Sequence, residues 1–126
     1  MMPTITPYYA LALTILLIGL SANVIRFRRG NRIPLGDAGN SDLMGRVRAQ
    51  GNFVEYAPMG LMLLLLAELA GTQAIWLHAV GACLLTGRLV HAYHMTFAPK
   101  KYVLRPIGIV LTFTALCAAA ILALPL

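Results

Sequence analysis

Arg48, Asn52 and Glu55 follow one another at intervals of four and three residues, inside an apolar stretch from Leu43 to Leu69. On an α-helix those intervals stack all three on one face. A helix in hydrocarbon cannot turn an arginine and a carboxylate toward lipid, because both are expensive there. Such a face looks into protein or a wet cavity, which marks a binding site. A second apolar stretch carries Arg88 and His91, three apart, and Arg105 opens another. Three fixed positive charges, Arg48, Arg88 and Arg105, thus stand against the one carboxylate of Glu55, with Asn52 and nearby Gln50 adding neutral polar groups. Glu55 with Arg88, taken alone, reads equally well as a structural bridge between helices, but it leaves two arginines unexplained. The surplus calls for an anion. An amphiphilic one, with carboxylates for the arginines and an amine for Glu55, answers to the whole set. An arginine beside a bound thiol would also stabilise the thiolate, the reactive form.

The elements that position these residues are membrane helices. Of 126 residues, 60% are apolar and 11% charged, against roughly 25% charged in soluble domains. A span needs about 20 mostly apolar residues, and four segments qualify: about 7–26, 44–68, 73–95 and 104–124. The fold class expected is an all-α integral membrane protein, a single domain over residues 1–126 with four transmembrane helices in a bundle. The second segment is longer than the bilayer core at ~1.5 Å rise per residue, so it should tilt or protrude. The first segment starts without charge, and its basic cluster of Arg26, Arg28, Arg29 and Arg32 comes afterwards. That order is the reverse of a cleaved signal peptide, so a retained helix is expected.

All ten Lys and Arg residues fall in two zones, 26–48 and 88–105, and the turn around Gly71–Ala74 has none. The positive-inside rule then places the first and third connections in the cytoplasm and both termini outside. The short Ala70–Gln73 turn makes helices two and three an antiparallel hairpin. The start of one comes level with the end of the other, so Arg48, Asn52, Glu55, Arg88, His91 and Arg105 should share one depth near the cytoplasmic face. The net charge of +6 reflects this topology and anionic headgroups. No basic soluble face is left to carry a nucleic-acid site.

The remaining polar features read as structural. The first connection, Arg28 to Asp42, is rich in turn formers, and Asn40, Ser41 or Asp42 is placed to cap the second helix. Pro106 suits the first turn of the fourth helix. Pro58, one turn after Glu55, removes a hydrogen bond to the Val54 carbonyl; it either shapes a pocket beside the polar face or is one of the prolines common in membrane helices. Cys83 and Cys117 lie mid-span without metal-ligand spacing, so packing is expected and no metal site. His78 stands alone near the outer end of the third helix as a packed or interfacial residue. Trp76, Tyr8 and Tyr9 form an aromatic belt, and Glu68 is expected to be solvated at the outer surface.

The segment Arg46-Val-Arg-Ala-Gln-Gly-Asn-Phe-Val-Glu-Tyr-Ala-Pro58 resembles the helix-two signature of the MAPEG family, the membrane-associated proteins of eicosanoid and glutathione metabolism. Every fixed position of Arg-Ala-(Gln/His)-x-Asn-x-x-Glu-x-x-Pro is present. Gly87-Arg-Leu-Val-His91 resembles the family's helix-three Arg-x-x-His motif, and Arg105-Pro-Ile-Gly108 resembles the Arg-x-x-Gly of bacterial members. The resemblance covers the whole chain in length, helix count and motif order. It implies a homotrimer, in a bacterial inner membrane, that binds glutathione as co-substrate between neighbouring subunits near the cytoplasmic face. It also implies that Arg48, Asn52, Glu55, Tyr56 and Gln50 hold glutathione from helix two, and that Arg88 and His91 line the site from helix three. Arg105 would stabilise the thiolate, and a basic residue ending helix one, Arg26 or Arg28, would contribute. Met95 stands where eicosanoid-branch relatives carry a tyrosine, which points away from leukotriene and prostaglandin substrates.

The activity expected is glutathione transfer to hydrophobic electrophiles entering from the bilayer, or glutathione-dependent peroxide reduction. No protein nucleophile is evident, in keeping with a bound thiol in that role. One alternative is a small proton-coupled exporter with Glu55 as proton carrier, although so positive a site repels the cations that such exporters move. Another is a lipid- or ligand-binding membrane protein without catalysis; Arg105 tilts the reading toward an enzyme.

Overall fold

The computed structural model describes residues 1–125, and among them four helices account for the apolar stretches: α1 (Thr6–Asn31), α2 (Ser41–Leu69), α3 (Ala74–Phe97) and α4 (Leu104–Leu122). All four are long and apolar enough to cross a bilayer. Helix α1 runs past the expected apolar limit because its basic residues continue the backbone ladder beyond the hydrophobic run. It stops at Arg32, which turns left-handed (φ 55°) and returns its N–H to the Arg28 carbonyl. Helix α2 starts as expected from Asn40, whose Oδ1 accepts from the Leu43 N–H at 3.1 Å.

The start of α1 overturns one expectation. Ile5 makes no side-chain cap; instead Glu68, from the far end of α2, accepts the N–H groups of Thr4 (2.6 Å), Ile5 (2.7 Å) and Thr6 (2.8 Å). Glu68 is buried rather than solvated. The cause is the row of unpaired N–H groups and the positive pole at a helix start, which attract a carboxylate. Pro7, in the first helical turn, needs no such partner. The same end of the bundle shows that His78 is not alone: the Tyr9 hydroxyl lies 3.0 Å from its Nδ1 and donates to its carbonyl at 3.1 Å. Tyr9 thus ties α1 to α3 instead of serving only an aromatic belt.

The α2–α3 turn closes on Gly71, whose φ of 87° suits glycine and lets the Thr72 N–H reach back to the Ala67 carbonyl at 3.2 Å, a Schellman-type stop. Helices α3 and α4 meet tightly at Gly87 and Gly108. A Cβ on Gly87 would lie 2.8 Å from Thr112 Oγ1, and one on Gly108 would lie 3.0 Å from the Gly87 carbonyl oxygen. Small residues of this kind let membrane helices pack backbone to backbone.

Leu13, Leu64, Leu77, Leu84, Ala115 and Ala119 fill the interior. Large apolar side chains such as Leu11, Ile15, Ile18, Val110 and Ile121 point outward, as a lipid-facing surface requires. Pro58 lies within α2 without ending it. The gap beside it is about 150 Å³ and lined mainly by apolar residues, among them Leu13, Leu17, Phe53 and Leu61, so it lies toward α1 and does not open onto the polar face.

Candidate functional site

Arg88 is the largest fully buried side chain, and its partners come from two other helices. Its Nε donates to Thr112 Oγ1 on α4 at 3.0 Å. Its Nη1 donates to Asn52 Oδ1 at 2.5 Å and to the Asn52 carbonyl at 3.2 Å on α2. Thr112 completes the relay by donating to the Gly108 carbonyl at 2.8 Å. The close approach at Gly87 and Gly108 is what brings that hydroxyl within reach. Among the described residues, Nη2 of Arg88 is buried with no hydrogen-bond partner. The ring of Tyr56 lies 5.6 Å from the guanidinium carbon, and Phe113 packs on Tyr56 with centroids 5.5 Å apart.

This arrangement replaces the bridge considered between Glu55 and Arg88. Glu55 pairs with Arg48 on its own helix, Nη2 to Oε1 at 3.4 Å, and both side chains are about half exposed, 51% and 50%. The reason is geometric: Asn52 sits on the helix face turned to α3, and Glu55, three residues on, is rotated off it. His91 is buried against the Gly108 backbone. Arg105, in the first turn of α4, is exposed, and among the described residues it makes no hydrogen bond or ion pair.

The expected set therefore divides. Asn52, Tyr56, Arg88 and His91 form a packed inner layer, and Arg48, Glu55 and Arg105 form an accessible outer one. Gln50 belongs to neither, since its amide donates to Ser21 Oγ on α1 at 3.0 Å. Of the two basic candidates ending α1, Arg28 is committed to the first connection, donating to the carbonyls of Ile33 (3.2 Å) and Gly36 (2.7 Å), while Arg26 stays exposed. His94 is occupied as well, with Nδ1 2.9 Å from the Ala98 carbonyl at the end of α3.

Thr112 and Phe113 escape sequence reasoning. A usable signal for Thr112 is its position four residues after Gly108, which sets its hydroxyl one turn above the crossing. A buried arginine needs acceptors, and hydroxyls on the neighbouring helix are the places to look.

Chemically, the inner layer is a fixed cation held by neutral groups, and the outer layer carries two arginines and one carboxylate. The whole retains a positive surplus with donors still free. A ligand that satisfies the outer layer must bring acceptors for Arg48 and Arg105 and a donor for Glu55.

Comparison with known proteins agrees with this architecture. The model of the MAPEG family matches residues 6–125. Over 89 residues the chain is 38% identical to the inner membrane protein YecN of Escherichia coli K12, covering 71% of this chain and 68% of that one. The YecN of Escherichia coli O6:H1 matches with the same identity and coverage. With four membrane-length helices and a family match over nearly its full length, the chain belongs to the MAPEG family.

Proposed function

We propose that the protein is a membrane-bound glutathione transferase, or a glutathione-dependent peroxidase, acting on hydrophobic electrophiles that arrive through the bilayer of a bacterial inner membrane. The observation that carries this reading is the half-exposed Arg48–Glu55 pair on the flank of a membrane helix. Lipid is a poor cover for two such groups. A polar ligand and a neighbouring protein surface are good ones.

Glutathione suits the donor set. It presents carboxylates to the guanidinium of Arg48 and an ammonium to the carboxylate of Glu55, and leaves exposed Arg105 to face its sulfur. When bound, glutathione supplies a sulfur nucleophile for an electrophile. The protein's own part is electrostatic and steric. Arg105 is the catalytic candidate, because a guanidinium near the sulfur favours its thiolate. Arg88, Asn52 and Tyr56 form a rigid wall, and burial in the membrane excludes bulk water, which strengthens each charge interaction.

Gln50 and the Arg48–Glu55 pair lie on different faces of α2, so they serve one ligand only when adjacent subunits present them to each other. That separation supports a closed ring of identical subunits, and the family resemblance implies three of them. The test is an absorbance titration of the detergent-purified protein with glutathione, scanned at the thiolate band. A saturable band at neutral pH is the expected result. A flat titration would overturn the proposal.

A further inference from the structure

A second cavity, of about 460 Å³, opens between α1 and α3, away from the Arg48–Glu55 surface. Leu16, Gly19, Leu20, Leu89 and Ala92 line its apolar part, and Asn23, Arg26, Tyr93 and Thr96 stand at the end where the basic residues gather. Helices α1 and α3 run in the same direction, each separated from the other by one complete crossing. The groove therefore lies along the membrane normal, with its apolar part deep and its polar part at headgroup level.

Three details give it the character of an anion site with a hydrocarbon tail. The polar groups at its mouth are donors without a carboxylate among them: Arg26 is exposed, and Asn23 has its Oδ1 taken by Arg46, which leaves its amide nitrogen to donate. The hydroxyl of Thr96 is buried, with no partner among the described residues. Gly19 has no packing reason to be glycine, since a Cβ there would meet no described atom within 4 Å and its φ is an ordinary helical one. Glycine is a poor helix former, and its effect here is to leave the groove open.

We propose that this groove binds an anionic phospholipid of the leaflet at the basic end of the bundle. One acyl chain lies over Gly19, and the phosphate is held by Arg26 with Asn23 and Thr96. Basic residues at headgroup depth attract such lipids, and several donors at one mouth match a phosphodiester better than a zwitterionic headgroup whose own ammonium Arg26 repels. Arg26 is thereby assigned to this groove and not to the glutathione site, so the proposal does not rest on glutathione binding.

Native mass spectrometry of the intact assembly, with phosphatidylglycerol or phosphatidylcholine added at equal concentration, tests it. Wild type should retain phosphatidylglycerol at least about fivefold better than phosphatidylcholine. Arg26→Gln should erase that preference. Gly19→Leu should lower retention of both lipids about fivefold or more with the oligomeric state unchanged. Equal retention by wild type and both variants would overturn the site. Dissociation of the assembly by Gly19→Leu would overturn it too, by assigning the groove to a contact between subunits. Displacement of phosphatidylglycerol by equimolar oleate would overturn the phospholipid as occupant.

Discussion

At the residue scale, the proposed function separates holding a ligand from activating it. Arg48 and Glu55 are paired and half exposed, whereas Arg105 is exposed and free of partners among the described residues. Replacing Arg105 by alanine should therefore leave glutathione binding nearly intact while suppressing the thiolate band. Each pKa unit lost corresponds to about 1.4 kcal/mol. Glu55→Gln should act on binding, because it removes the acceptor for the ligand's ammonium and the partner of Arg48. An expected loss of about 1.5–3 kcal/mol reads as a roughly 10- to 100-fold rise in Kd by calorimetry. If Arg105→Ala abolished binding while Glu55→Gln left it untouched, the two roles would be exchanged.

The buried residues respond differently, through stability. Thr112→Val keeps the volume but removes the acceptor for Arg88 Nε, a hydrogen bond to a charged group worth about 1.5–3 kcal/mol. The variant should unfold at lower temperature in detergent, and an unchanged Tm would show that Arg88 finds another acceptor. The sequence makes it legible that Arg48, Asn52 and Glu55 share a helical face, because their intervals follow the helical repeat. It does not reveal that Arg88 chooses Asn52 over Glu55, or that Gln50 turns to Ser21. Those choices depend on the rotation of each helix about its axis, and an apolar span with apolar residues on every side carries little periodic signal to fix it.

At the scale of elements, helix existence is legible because the bilayer demands apolar length, and the Asn40 cap is legible because its chemistry is local. The contact of Glu68 with the start of α1 bridges 62 to 64 positions of chain, and no local pattern announces it. Its trace in the sequence is indirect: a helix beginning Ile5-Thr6-Pro7 lacks a capping side chain, and an uncapped start needs a donor-satisfying group from elsewhere. Glu68→Gln substitutes one neutral acceptor for a carboxylate that serves three backbone N–H groups. The expected cost is about 1–2 kcal/mol. Hydrogen exchange at Thr4, Ile5 and Thr6 should accelerate, while glutathione binding at the opposite end of the bundle stays unchanged. Unaltered exchange at those three amides would show that water caps the helix equally well. The Gly87–Gly108 crossing was similarly hidden, since glycine is frequent in membrane helices and only the packed pair shows which ones touch.

At the scale of the whole molecule, one subunit leaves a charged surface that a bilayer cannot solvate. The Arg48–Glu55 pair is half exposed at a level where α2 is flanked by apolar residues such as Val54 and Met59, which also face outward. A soluble protein would leave this surface to water, and a membrane protein must cover it with protein or ligand. Identical copies closing a ring cover it on every subunit at once, and closed symmetry leaves no unsatisfied surface at the ends. The protein in mild detergent should accordingly have a mass of three times 13.6 kDa by light scattering, after correction for bound detergent. If the shared surface includes the proposed ligand, glutathione should raise the Tm of the assembly by linkage, and more so as its concentration exceeds Kd. Glu55→Gln should weaken that response in proportion to its loss of affinity. A stable monomer that still binds glutathione with wild-type affinity would contradict the ring, because a single copy would then shelter the charged surface unaided.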